Sequence, residues 1–211
     1  MPEKSGYRIP DFLFVEEVKD DFTAFVQFAC MGDFDGVRRM LAEGFDIRHA
    51  SGKTFGETIL ENVIWILEFM PDAPKYDIVR ELLKLGADAS VRNNDGFGPL
   101  FQAVLHRDAE MLAILLEAGA DPNKERMDLS CQSLYDWALF DYREEVWHLS
   151  EPEEDGEPDY DDKDAWLAYI DACALKYGKE RPAYLMCLRN HGALSMQEMC
   201  ERGMCEMDEK E

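Results

Sequence analysis

The sequence predicts an all-α protein: a solenoid of about four helix-turn-helix repeats, with an N-terminal capping helix and insertions in repeats two and four. Three observations lead there. The 211 residues are 46% apolar and 11% aromatic, a globular composition and not a disordered one. Amphipathic segments that stop at a glycine recur in one register, at Gly44, Gly86 and Gly119, spaced 42 and then 33 residues apart. Each is preceded by a shorter apolar segment and a break, which is the pattern of two helices joined by a turn.

Residues 1–21 carry Phe12, Leu13, Phe14 and Val15 among acids and read as a cap over the open face of the first repeat, since a stacked array needs a polar outer side at its ends. The repeats span 22–50, 53–90, 93–123 and 128–194. In the first, FACMGDFDGVRRMLAEGFDIR places Gly32-Asp33 at the turn between the helices. In the second, the first helix begins at GETIL and is expected to run on through ENVIWILEFM, about two turns longer than usual, until Pro71 and Pro74. The third is the most regular: Asp95-Gly96 supplies a turn, Pro99 sits in the first turn of a helix where its missing N–H costs nothing, and Gly119 ends the second helix in the left-handed conformation. The fourth begins at QSLYDWALF and finishes at YLMCLRNHGALS. Between these halves lie an acidic insertion, 148–164, and a further helical stretch, AWLAYIDACALKYG. The segment 195–211 is a C-terminal cap or tail.

The third copy, NNDGFGPLFQAVLHRDAEMLAILLEAGADPN, resembles the ankyrin-repeat consensus, and the 33-residue step is the ankyrin period. The chain as a whole resembles short, acidic, stand-alone ankyrin proteins of bacterial type. It departs from the family at the TPLH motif, whose histidine is replaced by Glu61, Phe101 and Asp136 and whose threonine is Gly98 in the third copy. Hydrogen bonds between repeats are therefore expected to be altered or absent.

The resemblance implies a protein-binding concave face made of hairpin tips and first helices. In this register the face takes Phe55, Glu57, Asn94, Asp95, Phe97 and Gln132 from the tips. The exposed helix ends contribute Cys30, Met31, Trp65, Leu105, His106, Phe140 and Asp141. Large apolar groups on a face left wet are anchors of the hot-spot kind, although folded-over insertions would bury them as ordinary core. The acidic insertion adds Glu153, Glu154, Asp155, Asp159 and Asp161. Residues 141–164 hold 12 acids against Arg143 and Lys163, which is −10 of the formal net charge of −23. That charge disfavours nucleic acid and favours a basic protein partner, steered electrostatically; the plainer reading is a solvated loop that keeps the chain soluble.

Catalytic motifs are missing: there is no GxSxG, phosphate-cradling glycine loop or HExxH, so no enzyme activity and no cofactor are expected. His49, His106, His148 and His191 fall in separate repeats. The pair Cys200 and Cys205 lacks a second ligand pair, and the aspartates 159–164 lack the glycine and closing glutamate of an EF-hand, so no metal is expected. Six scattered cysteines read as reduced thiols, and the absence of an apolar leader or span points to a cytoplasmic protein, for which a monomer is favoured with the oligomeric state left open. Three functions remain open: a binding module that inhibits a basic toxin in the manner of an immunity protein, a general ankyrin scaffold for complex assembly, and a metal-linked regulator.

Overall fold

A computed structural model describes residues 20–48, 56–124, 126–127, 132–149, 156–159 and 162–204. The chain divides into two compact units, with the boundary between Asp121 and Pro122.

The first unit is built of three helix pairs: α1 (Asp21–Cys30) with α2 (Phe34–Ala42), α3 (Ile59–Leu67) with α4 (Lys75–Lys84), and α5 (Pro99–Leu105) with α6 (Ala109–Glu117). Short polar side chains start most of these helices. Asp20, Asp33 and Asp108 each accept a backbone N–H three residues on, and Thr58 forms a capping box with Glu61. The ends repeat as well. Gly44, Gly86 and Gly119 have φ of 98°, 101° and 94°, a left-handed conformation that only glycine adopts without strain, so the expected glycine stops are present. First helices pack on first helices, α1 on α3 and α3 on α5, while α4 packs on α6. Each repeat thus buries its apolar stripe against its neighbour. Val63, Leu67, Val79, Leu82, Leu100, Leu112 and Leu115 are all 1% exposed or less, and each such side chain contributes about 1.5–3 kcal/mol by leaving water.

The lengthened helix of repeat two is not as expected. α3 has 9 residues against 7 in α5, and most of the remaining excess lies in the loop 68–74, where repeat three has only 106–108. The chain leaves the helix because Phe69 and Met70 donate to Ile66 and Leu67 in tightened turns, Ala73 donates to Met70, and Pro74 ends the loop. Elsewhere the inter-helix turn is compact: Gly32 has φ 65° and its counterpart Arg107 φ 55°, with matching hydrogen bonds of 2.9 Å to Ala29 and Val104.

The second unit starts with a two-residue antiparallel ladder, β1 (Arg126–Met127) against β2 (Gln132–Ser133). α7 (Leu134–Trp147), α8 (Lys163–Lys176), α9 (Ala183–Asn190) and α10 (Met196–Glu201) follow, with α8 and α9 both packed on α7. α7 continues past Phe140 because Leu139, Tyr142 and Val146 extend one buried stripe at helical spacing. α8 is the expected inserted helix and buries Trp166 and Ile170. α10 begins at Ser195, capped reciprocally with Glu198, and is held to α9 by the two-pronged Arg189–Glu198 pair.

The reduced-thiol expectation is corrected at one position. Cys200 is disulfide-bonded, while Cys30, Cys173 and Cys187 are free. Pairing depends on which Cα atoms the fold brings within reach, which sequence spacing does not reveal.

Candidate functional site

Three large apolar side chains occupy one register position, seven residues after the helix N-cap: Trp65 after Thr58, Leu105 after Gly98 and Phe140 after Ser133. All three are exposed, at 39%, 47% and 40%. The insertions do not bury them. In repeat one the expected exposed position is instead core, with Cys30 only 1% exposed and its thiol pushed far up by burial. Phe69, which the register reading missed, stands one helical turn beyond Trp65 and meets it edge-on at 5.2 Å, with 43% exposure. Its i, i+4 spacing from Trp65 is the signal that could have found it. His106 is half-buried, and its Nε2 is buried with no hydrogen-bond partner.

At the hairpin tip of repeat three, Asn94 and Asp95 are exposed, while Phe97 is half-buried and stacks on Phe101 at 4.3 Å. Asn93 organises this tip. Its Oδ1 accepts the N–H groups of Asp95 and Phe97, both at 3.0 Å, and its own N–H donates to the Phe97 carbonyl at 2.7 Å. Its amide Nδ2 donates back to Glu61 Oε1 at 2.9 Å, linking repeat three to repeat two. Glu61 therefore makes an inter-repeat bond from the position of the missing TPLH histidine. Burial pushes its carboxyl up, and the nearby charge of Glu57 acts in the same sense; hydrogen bonds from Thr58, Asn93 and Gln102 oppose them. Asp136 takes the corresponding place in repeat four, accepting from Ser133 and, at 2.7 Å, from the Met196 N–H. At Glu61 and Asp136 the altered hydrogen bonds anticipated at this motif are thus carried by acids.

Glu57 and Gln132 are half-buried and Asp159 is exposed. Asp141 accepts a hydrogen bond from Tyr184 at 3.3 Å, so its carboxylate is engaged inside the fold. Phe55, Glu153, Glu154, Asp155 and Asp161 lie outside the described residues. Among the described residues of the insertion, Glu157 is anchored: Arg143 Nε donates to it at 2.9 Å and Trp166 Nε1 at 2.7 Å. Arg143 in turn lies against the Trp147 ring, 3.0 Å from its centroid. Sequence reasoning counted Glu157 as free charge, whereas the fold uses it to tie the insertion to α7 and α8. Among the described residues no group of three or more His, Cys, Asp or Glu is placed to hold a metal ion, and no helix is long and apolar enough to cross a membrane.

A comparison with protein-family models matches residues 67–116 to the family described as ankyrin repeats (many copies). The matched stretch runs from the end of α3 through α6, the most regular part of the array. The chain carries ankyrin repeats. A search of curated proteins found no match. Ankyrin repeats are protein-protein interaction modules, generally non-catalytic, and that is the function established at this level. Leu105 lies inside the matched stretch, and Trp65 and Phe140 lie outside it.

Proposed function

We propose that this ankyrin-repeat chain binds a basic protein, using Trp65, Phe69 and Leu105 as apolar anchors in the first unit and Phe140 in the second, with the acidic surplus steering the partner in. The observation that carries this reading is the repeated exposure, at 39–47%, of a large apolar side chain at one register position in a protein of net charge −23. Exposed aromatic anchors supply short-range affinity, and long-range charge raises the encounter rate. The most specific form is an immunity-type inhibitor, whose acidic surface takes the place of nucleic acid in a toxin's cationic cleft; a complex-assembly scaffold is the alternative. The position is cytoplasmic and the chain acts as a monomer under this reading.

The test begins with affinity capture from the native source and moves to stopped-flow association with the purified partner. Trp65→Ala should weaken binding about 30-fold through faster dissociation, the ~2 kcal/mol of a hot-spot residue. Deleting 151–164 should slow association and flatten its salt dependence. Loss of binding in Trp65→Ala with no effect of the deletion would favour the scaffold. A partner without basic surface, bound equally by both variants, would refute the proposal.

A further inference from the structure

The repeat-three tip is joined to the rest of the array through a carboxylate, and that junction can respond to a proton. We propose that Glu61 is a proton-dependent latch on the hairpin tip 93–97, and so a regulator of the binding face to which the sequence register assigns Asn94, Asp95 and Phe97. The regulatory consequence rests on the docking reading above; the latch itself does not.

The geometry is specific about what a proton does. With Glu61 ionised, its two oxygens accept from Asn93 Nδ2 at 2.9 Å, from the Thr58 N–H at 3.3 Å and from the Gln102 amide. Every bond to it is then a donor facing an anion, and such charge-assisted bonds are the stronger kind. Gln102 meanwhile keeps its Oε1 buried with no hydrogen-bond partner, an acceptor without a donor. A proton taken up from solvent by Glu61 supplies that donor: the new O–H can turn to Gln102 Oε1 as the amide rotates. The hold on Asn93 then weakens from charge-assisted to neutral. Because Asn93 also fixes the Asp95 and Phe97 amides, the tip loosens with it.

The surroundings favour proton uptake. Glu61 is only 6% exposed, and the charged group acting on it is the like-charged Glu57. Of the helices packed on α3, α5 contributes Gln102; α1 and α4 contribute no hydrogen bond or ion pair to Glu61 among the described residues. Protonation therefore breaks no salt bridge.

The experiment uses the full chain, isotopically labelled, titrated by NMR from about pH 3 to about pH 8. The Glu61 side-chain carboxyl carbon reports its protonation, and the Asp95 and Phe97 amides report the tip. Tip amide shifts and loss of exchange protection should share the Glu61 midpoint. That step should disappear in Glu61→Gln, which preserves the helix cap. It should move to lower pH, together with the Glu61 carboxyl, in Glu57→Gln. Tip amides that stay flat through the Glu61 midpoint, or that titrate unchanged in Glu61→Gln, would overturn the latch. No partner is involved, so this failure would leave the docking proposal standing, and the failure of Trp65→Ala to weaken binding would leave the latch standing.

Discussion

Replacing Glu198 by Gln removes one charge from the junction between α9 and α10 and leaves the α10 cap able to form. In the native chain Arg189 grips Glu198 with two bonds of 2.6 and 2.7 Å, donates to the Ala193 carbonyl at 2.8 Å, and lies over the Tyr135 ring at 4.8 Å. The Arg189 bonds lower the Glu198 carboxyl from 4.5 to about 2. At ~1.4 kcal/mol per pH unit that gap sets a ceiling of about 3.5 kcal/mol. The two side chains remain 40% and 29% exposed, so solvent screening brings the expected contribution down to about 1 kcal/mol. The sign follows from the depressed value: the stabilisation is whole above about pH 4.5, shrinks as pH falls, and is gone near pH 2. Amide exchange at Met199 and Cys200, with urea unfolding alongside, measures it. Glu198→Gln should exchange about 5-fold faster than the native chain at pH 7, and the two proteins should converge in acid. A difference that persists undiminished to about pH 2 would refute the electrostatic account and leave packing as the cause.

Arg107 holds a left-handed backbone at φ 55° in the turn where repeat one has Gly32; Arg107→Gly should relieve about 0.5–1 kcal/mol of strain, less the entropy glycine adds to the unfolded chain, and thermal unfolding will show whether the variant is at least as stable as the native protein. Glu157→Gln should cost about 1 kcal/mol and change tryptophan fluorescence, because the carboxylate touches both Arg143 and the Trp166 indole; unchanged emission and stability would show that the insertion is not tied down there.

Local chemistry was legible in the sequence, and partners distant along the chain were not. Gly44, Gly86 and Gly119 stand out because a left-handed helix end selects glycine from its own few residues. Register placed Trp65, Leu105 and Phe140 on one face but left open whether the insertions cover them, and the structure has them exposed. Cys30, expected to be exposed at the end of the first helix of repeat one, turned inward, because register assigns a position and the neighbouring helix decides its burial. Asn93 was not singled out in the sequence; its bond to Glu61 crosses 32 positions. Glu157 was misjudged as free charge, since a charge run does not state what the fold brings beside it. The length of the loop 68–74 was mistaken for helix because ENVIWILEFM keeps its apolar character past the point where the backbone turns.

The chain has 22 basic residues against 45 acidic ones, and the described structure engages several of the basic ones internally. Arg38 reaches Glu81, Arg80 reaches Glu110, Lys75 joins Glu68 and Asp108, and Arg143, Arg181 and Arg189 each hold an acid of the second unit. These cations act as struts within the fold, which has a consequence for any polycation that approaches. It need not displace a mobile lysine or arginine to reach an acid; the field it meets is set by carboxylates left over after the fold has taken its own counter-charges. Salt should therefore weaken attraction at a distance well before it loosens the struts, whose ions sit within contact of one another. Over that range of ionic strength, the protein would keep its shape while losing its reach.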